Sequence, residues 1–243
     1  MTTAATPTPR TGRTPDQLRT IGIQRNVAPH AEGSCMIATG LTQVLCTASV
    51  EASVPPWRRN SGLGWVTAEY AMLPRATHTR SGRERTKLGG RTQEIQRLIG
   101  RALRASIDLQ ALGEVSILID CDVIVADGGT RTAAITGAAI ALSDACEWLI
   151  REGRLASSPM RELVAATSVG IIDGEPRLDL DYAEDVRADV DMNLVALESG
   201  NLVEVQGTAE NNSFTPDELQ TLLGIGLAGI RQLLQHQRDA LGR

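Results

Sequence analysis

Residues 115–138 read VSILIDCDVIVADGGTRTAAITGA, and this stretch decides the fold class. Residues 115–125 are dominated by Val, Ile and Leu and read as a strand. Asp120 and Asp122 share a face with Leu118 and Ile124, so the strand is apolar with two embedded acids. After Asp127-Gly128-Gly129 an Ala-rich run over 130–151 reads as a helix, whose small side chains predict close packing on a sheet. The junction also suits an anion. Glycines let the backbone come close to a ligand, and a helix start offers unpaired N–H groups at the positive end of a dipole. Thr130 adds a hydroxyl and Arg131 a charge. The segment is not a Walker A loop, since the GxxxxGK[ST] spacing and its lysine are absent. The alternative is a tight strand-to-helix turn with Thr130 as its N-cap.

Upstream, residues 92–109 place Ile95, Leu98, Ile99, Ala102, Leu103 and Ile107 on one helical stripe. Gly89-Gly90-Arg91 opens it, a second glycine-pair helix start with an arginine. Before it lies LPRATHTRSGRERTKLGG (73–90), which has no apolar period and reads as a long basic loop. Earlier still, short β-rich runs at 20–26, 34–39, 42–51 and 65–72 are punctuated by Gly and Pro. Downstream, 163–172, 186–197 and 201–208 read as strands. In 186–197, Val186, Ala188, Val190, Met192 and Leu194 face one way and Arg187, Asp189, Asp191 and Asn193 the other. The last helix starts at Thr215, with Pro216 at the first helical position, Glu218 completing a capping box, and Phe214 and Leu219 placed for a hydrophobic staple. Strand-rich blocks interrupted by few helices favour α+β over a regularly alternating α/β fold. The expectation is a tail over 1–15, enriched in Thr and Pro, and one domain over 16–243.

Composition narrows the function classes. Aromatic residues make up 2% of the 243, so the core must be aliphatic and modules built on aromatic stacking platforms are disfavoured. No uninterrupted apolar run approaches the roughly 18 residues of a membrane span, and MTTAATPTPR lacks the apolar region of a secretory signal. Cys35, Cys46, Cys121 and Cys146 form no CxxC pair, and His30, His78 and His236 stand apart, so a zinc site is disfavoured. Buried reduced thiols and a cytoplasmic location are expected.

The net charge of −5 conceals a polarity. Residues 57–104 carry eleven Lys and Arg against three acids, while 173–218 carry thirteen acids against two arginines. A concentrated basic segment binds nucleic acid even on an acidic protein. The acidic segment gathers Asp179, Asp181, Glu184, Asp185, Asp189 and Asp191. It is either a solvated hairpin edge or a metal or catalytic cluster. Asp189 and Asp191 share a strand face and could bind one Mg²⁺. Asp185 lies six residues from Asp191, roughly 20 Å along a straight strand, so it joins them only if 183–188 bend back.

Long motifs carry a resemblance: HAEGS (30–34), VLCTASVE (44–51), TAEYAMLPRATHTR (67–80), GGRTQEIQRLIGRALRA (89–105), IDCDV (119–123), ADGGTRTAAITGA (126–138), YAEDVRADVDMN (182–193) and VEVQGTAE (203–210). From about residue 10 to residue 238 the chain resembles the bacterial ribonuclease PH family, phosphate-dependent 3′ exoribonucleases also called tRNA nucleotidyltransferases. The resemblance implies a ribonuclease PH fold, related to ribosomal protein S5 domain 2, with a mixed β-sheet packed with helices. It implies a homohexamer, a trimer of dimers. It implies a phosphate site at Arg91, Gly129, Thr130 and Arg131, and catalytic aspartates at Asp185 and Asp191 that hold Mg²⁺. It places RNA-contact and ring-interface arginines at Arg75, Arg80 and Arg83. The implied reaction is phosphorolysis of RNA 3′ ends, mainly of tRNA, by inorganic phosphate, releasing nucleoside diphosphates and running in reverse as nucleotide addition. Whether Asp191 is a metal ligand or a general acid is open. Two other classes compete: a non-catalytic RNA-binding ring subunit, which loss of the site residues would signal, and a small-molecule phosphorylase, against which the basic segment argues.

Overall fold

Alternating aliphatic residues build two sheets rather than one. The computed structural model describes residues 10, 12–84, 87–210 and 213–243. In the first sheet, β1 (Ile21–Arg25), β2 (Gly33–Thr39), β3 (Thr42–Glu51), β4 (Trp65–Met72) and β5 (Ser116–Val125) lie in the order β1-β2-β3-β5-β4. Only the β4–β5 pair is parallel, so this sheet is mixed. Its crossover contains α1 (Gly90–Ala105) and the short α2 (Leu109–Leu112), and α1 turns its buried Ile95, Leu98, Ile99 and Leu103 inward. In the second sheet, β6 (Val164–Ile172), β7 (Glu175–Leu178), β8 (Val190–Leu197) and β9 (Leu202–Ala209) are all antiparallel, in the order β7-β6-β8-β9.

Between the sheets runs α3 (Thr130–Arg151), which contacts β2, β3 and β5 on one side and β6 on the other. By length and composition α3 could cross a membrane, yet it is almost wholly buried inside the protein. Small residues make this possible: a Cβ on Gly33 would lie 2.0 Å from the Ala141 carbonyl oxygen, and one on Gly137 would lie 2.7 Å from Ile37. The helix α5 (Pro216–Leu241) covers the second sheet, and β6, touched by both α3 and α5, is buried along its whole length. One apolar core spans both sheets. The four cysteines are buried free thiols, with Cys35, Cys46 and Cys121 side by side on β2, β3 and β5.

The capping box of Thr215 and Glu218 forms as expected, and Phe214 and Leu219 both pack against the core. Two expectations change. Residues 186–197 are not one strand: 182–185 form a single helical turn, α4 (Tyr182–Asp185), and β8 begins only at Val190, leaving Val186 67% exposed. And the expected tail is not frayed where it is described. Arg10, Arg13 and Pro15 bond to the acidic segment, while residues 1–9 and 11 lie outside the described residues. The hairpin strand β7 escapes alternation because it has four residues. Its Asp173-Gly174 turn, with both φ values positive, is the primed type that suits a two-residue loop.

Candidate active site

Two helix starts converge on one cavity of about 360 Å³. At the first, Gly89 is the N-cap of α1 and Arg91 reaches the cavity wall. At the second, Gly129, not Thr130, is the N-cap of α3, so Thr130 and Arg131 are the first two helical residues. Neither cap supplies a side-chain hydrogen bond. The opening N–H groups of both helices, which have no carbonyl within the helix to reach, are left for a ligand or solvent. Gly128, Gly129, Thr130 and Arg131 all line the cavity.

The glycine pair is demanded by local geometry. Gly128 has φ +73° and Gly129 φ +63°. A Cβ on Gly128 would lie 2.6 Å from the Leu180 carbonyl oxygen and from the Asp181 carbonyl carbon. The glycine therefore lets the Asp127–Thr130 turn dock against the chain that leads into α4. The Thr42 hydroxyl donates to the Gly128 carbonyl at 2.7 Å and accepts from the Asp127 N–H at 2.9 Å, fixing the turn from β3.

Asp185 and Asp191 line the same cavity, opposite in charge to Arg91 and Arg131. Asp185 gets there because 183–188 do bend back. The N–H groups of Asp185, Val186 and Arg187 bond to the carbonyls of Asp181, Tyr182 and Glu184, and the chain then enters β8. Asp189, the expected strand-face partner of Asp191, precedes β8, gives its N–H to Ile171 and does not line the cavity. The Asp191 carboxyl is pushed up to about 6, first by burial and then by the charge of Asp185, against the opposing pull of Arg131 and Arg91. Burial likewise raises Asp185. The remaining acids of the segment serve structure: Asp179 is buried against Arg19 at 2.7 Å, Glu184 is buried among arginines, and Asp181 caps α4.

The expected RNA-contact arginines lie apart. Arg75, Arg80 and Arg83 are exposed on the loop between β4 and α1 and do not line the cavity, although Thr77, His78 and Thr79 of that loop do. No ion pair joins these three arginines to another described residue.

The sequence did not flag several residues that complete the site. The Tyr70 hydroxyl lies 2.8 Å from that of Thr130. Arg131 is held by Gln206 at 3.1 Å and Glu94 at 3.3 Å. Ser168 and Asn193 face each other across β6 and β8 and line the wall beside Asp191, and Tyr182 stands 53% exposed at the cavity beside Asp185. The TAEY and VEVQG segments hold Tyr70 and Gln206, but neither residue type marks a site by itself.

The donor set suits a divalent cation of the Mg²⁺ kind. Two carboxylates that repel one another face one space, and Mg²⁺ is commonly held by one or two carboxylates completed by substrate phosphate and water. Among the described residues no cluster of three or more His, Cys, Asp or Glu could form a self-contained metal cage.

Comparisons with known proteins show the family and the fold. Models of the 3′ exoribonuclease family match at residues 17–146 (domain 1) and 162–229 (domain 2). Ribonuclease PH of Nocardia farcinica is 59% identical over 233 residues, covering 95% of this chain and 91% of that protein. Among solved structures, rice Rrp46 superposes with a TM-score of 0.76 at 22% identity, covering 96% of this chain and 99% of that one. A chain of the Archaeoglobus fulgidus exosome, solved with RNA bound to the active site, superposes with a TM-score of 0.80 at 21% identity, covering 93% and 91%. At that identity the last two speak for the fold.

Proposed function

We propose, from the premise that this chain belongs to the 3′ exoribonuclease family that includes ribonuclease PH, that its cavity is the phosphorolytic centre. The chain is a phosphate-dependent 3′ exoribonuclease that processes tRNA 3′ ends. The observation that carries the assignment of the centre is the meeting of Arg91 and Arg131, each at a helix start, with Asp185 and Asp191 in a single cavity.

The chemistry requires one anion to attack another. An oxygen of inorganic phosphate forms a bond to the phosphorus of the terminal 3′–5′ phosphodiester. The bond from that phosphorus to the 3′-oxygen of the penultimate nucleotide breaks. The terminal nucleotide leaves as a nucleoside diphosphate, and the shortened RNA keeps a 3′-hydroxyl. Arg91 and Arg131 hold the attacking phosphate through charge-assisted hydrogen bonds, and the N–H groups at the start of α3 aim it in line. Glu94 and Gln206 keep the Arg131 guanidinium in place, and Tyr70 fixes the Thr130 hydroxyl.

Asp185 and Asp191 are the residues that would hold Mg²⁺, which when bound supplies positive charge to the transferring phosphoryl group and the leaving oxygen. The alternative role for Asp191 is to protonate the departing 3′-oxygen, for which a carboxyl pushed up to about 6 is suited. One phosphoester is exchanged for another, so the reverse reaction, extension from nucleoside diphosphates, uses the same groups. The exposed basic loop with Arg75, Arg80 and Arg83 is the surface for the RNA body, and in our reading it lies at contacts within a homohexameric ring. The four buried free thiols fit a reducing cytoplasm.

The deciding assay incubates the protein with tRNA bearing extra 3′ residues, with and without phosphate. Nucleoside diphosphates formed only with phosphate support the reading. Nucleoside monophosphates formed without it would overturn it.

A further inference from the structure

Asp185 makes no side-chain hydrogen bond or ion pair with another described residue, and it stands on a helix of one turn. One turn of helix has too few internal bonds to hold a side chain in place. Something else must set its position.

That restraint lies in the adjacent residue. Glu184 points the other way, into the protein, and its side chain is 8% exposed. Its carboxylate accepts from Arg10 at 2.7 Å, Arg177 at 3.2 Å and Arg13 at 3.3 Å, and from the Asp181 N–H at 3.2 Å. Arg10, whose side chain is 3% exposed, is anchored in turn: one terminal nitrogen donates to the Leu178 and Asp179 carbonyls at 2.7 and 2.9 Å, the other to the carbonyls of Thr14 and Pro15. Asp179, just ahead of α4, has a φ of +54°, unusual for a residue with a side chain, and its carboxylate accepts from both the backbone N–H and the guanidinium of Arg19. The chain leading into α4, and α4 itself through Glu184, is thus fixed by arginines from residues 10–19.

We propose that Glu184, clamped by Arg10, Arg13 and Arg177, is a positioning residue that sets Asp185 at the cavity, so that the segment beginning at Arg10 is part of the catalytic apparatus. A buried ion cluster adds little net stability over an apolar plug, whereas it fixes geometry through directed bonds. The proposal rests on Asp185 acting in catalysis as read above.

The test is kinetic. Arg10→Ala should lower kcat at least about tenfold, as small misplacements of a reacting group do, with the KM for phosphate unchanged within about twofold because Arg91 and Arg131 are untouched. Arg10→Lys should recover part of the loss, and Glu184→Gln should behave like Arg10→Ala. In an Asp185→Asn background, Arg10→Ala should cost nothing further, because the residue it positions is already disabled. Losses that multiply in the double variant, or wild-type kcat in folded Arg10→Ala or Glu184→Gln, would overturn the proposal. If Arg10→Ala does not fold, Arg10→Lys and Glu184→Gln, each alone and with Asp185→Asn, decide the matter by the same criteria. Full activity of Asp185→Asn alone would instead remove the catalytic reading beneath it, so the two failures are distinguishable.

Discussion

Asp191 lies buried within the field of Asp185, and burial first, then that charge, push its carboxyl up to about 6. Sequence spacing alone, six positions along one strand, would have kept the two apart. The turn of α4 closes the gap, and the cavity holds two like charges, opposed by Arg91 and Arg131 but with no hydrogen bond or ion pair to either carboxylate among the described residues.

Such a pair costs stability, and the sign is fixed. The folded-state value of Asp191 lies above the value near 4 that an unfolded chain shows. The unfolded chain therefore loses its proton first, and the penalty is absent below about pH 4, grows between about pH 4 and 6, and is fully present above that. With divalent cations chelated, Asp191→Asn should melt about 2–4 °C above the wild type at pH 8, for a penalty on the order of 1 kcal/mol, and at the same temperature at pH 4. Equal melting temperatures at both pH values would show that the ionised Asp191 carboxylate, buried beside Asp185, carries no cost in the fold.

The same two residues should be needed in both directions of reaction. Asp185→Asn and Asp191→Asn should fold yet lose RNA degradation and nucleotide addition alike, since the two directions share a transition state. Activity that returns with excess Mg²⁺ assigns the residue to metal binding. Activity that stays lost in Asp191→Asn assigns it to proton transfer. Near wild-type turnover would take the residue out of the centre.

Arg91 and Arg131 stand at separate helix starts and face the same space, so their removal should read out on the nucleophile. Arg91→Ala and Arg131→Ala should each raise the phosphate KM and lower turnover, each losing a charge-assisted contact worth roughly 1.5–3 kcal/mol. RNA affinity measured without phosphate should change far less. Unaltered phosphate dependence in both variants would place the nucleophile elsewhere.

The local signals in the chain survived folding well. The strand, glycine pair and helix over 115–151 could be read because periodicity, turn chemistry and helix packing all point the same way there. The capping box at Thr215 is equally self-contained. What could not be read depends on contacts far apart in sequence. Alternation carried Val186–Asp189 into a strand, although Asp181 and Glu184 carry a local capping-box pattern for the turn at 182–185; what has no local signal is that Arg10 and Arg13 pull Glu184 inward. The six acids read as one cluster, yet arginines more than a hundred residues away take Asp179 and Glu184 out of it. Ser168 and Asn193 became visible as neighbours only through the β6–β8 register.

Gly128 offers a test of how the two halves of the site are joined. Gly128→Ala puts a Cβ 2.6 Å from backbone atoms of Leu180 and Asp181, at a φ of +73°. Backbone cannot step aside as a side chain can, so the turn and α4 must part. The variant should lose about 2 kcal/mol or more of stability in urea unfolding, and turnover should fall with it as Asp185 moves away from Arg131. Gly129→Ala is strained at its φ of +63°, but its Cβ meets the end of the Arg19 side chain, which can shift. It should therefore cost less. Equal costs at the two positions would show that strain, and not the close approach of the two segments, requires the pair.

The exposed arginines of the loop between β4 and α1 have a different task. Arg75, Arg80 and Arg83 lie outside the cavity, so they should leave the chemistry of a short substrate largely intact. A long polyanion, by contrast, feels the summed field of the loop, and a closed ring would bring several copies of that loop together. Replacing Arg75 and Arg80 with Ala should weaken tRNA binding and flatten its dependence on salt, since fewer counterions are released per bound RNA. If these residues also bridge subunits, the hexamer should fall to dimers in sedimentation. Loss of activity should then be larger on tRNA than on a minimal oligonucleotide. A double variant that stays hexameric and binds tRNA with the wild-type salt slope would show that neither RNA nor a neighbouring subunit relies on this loop.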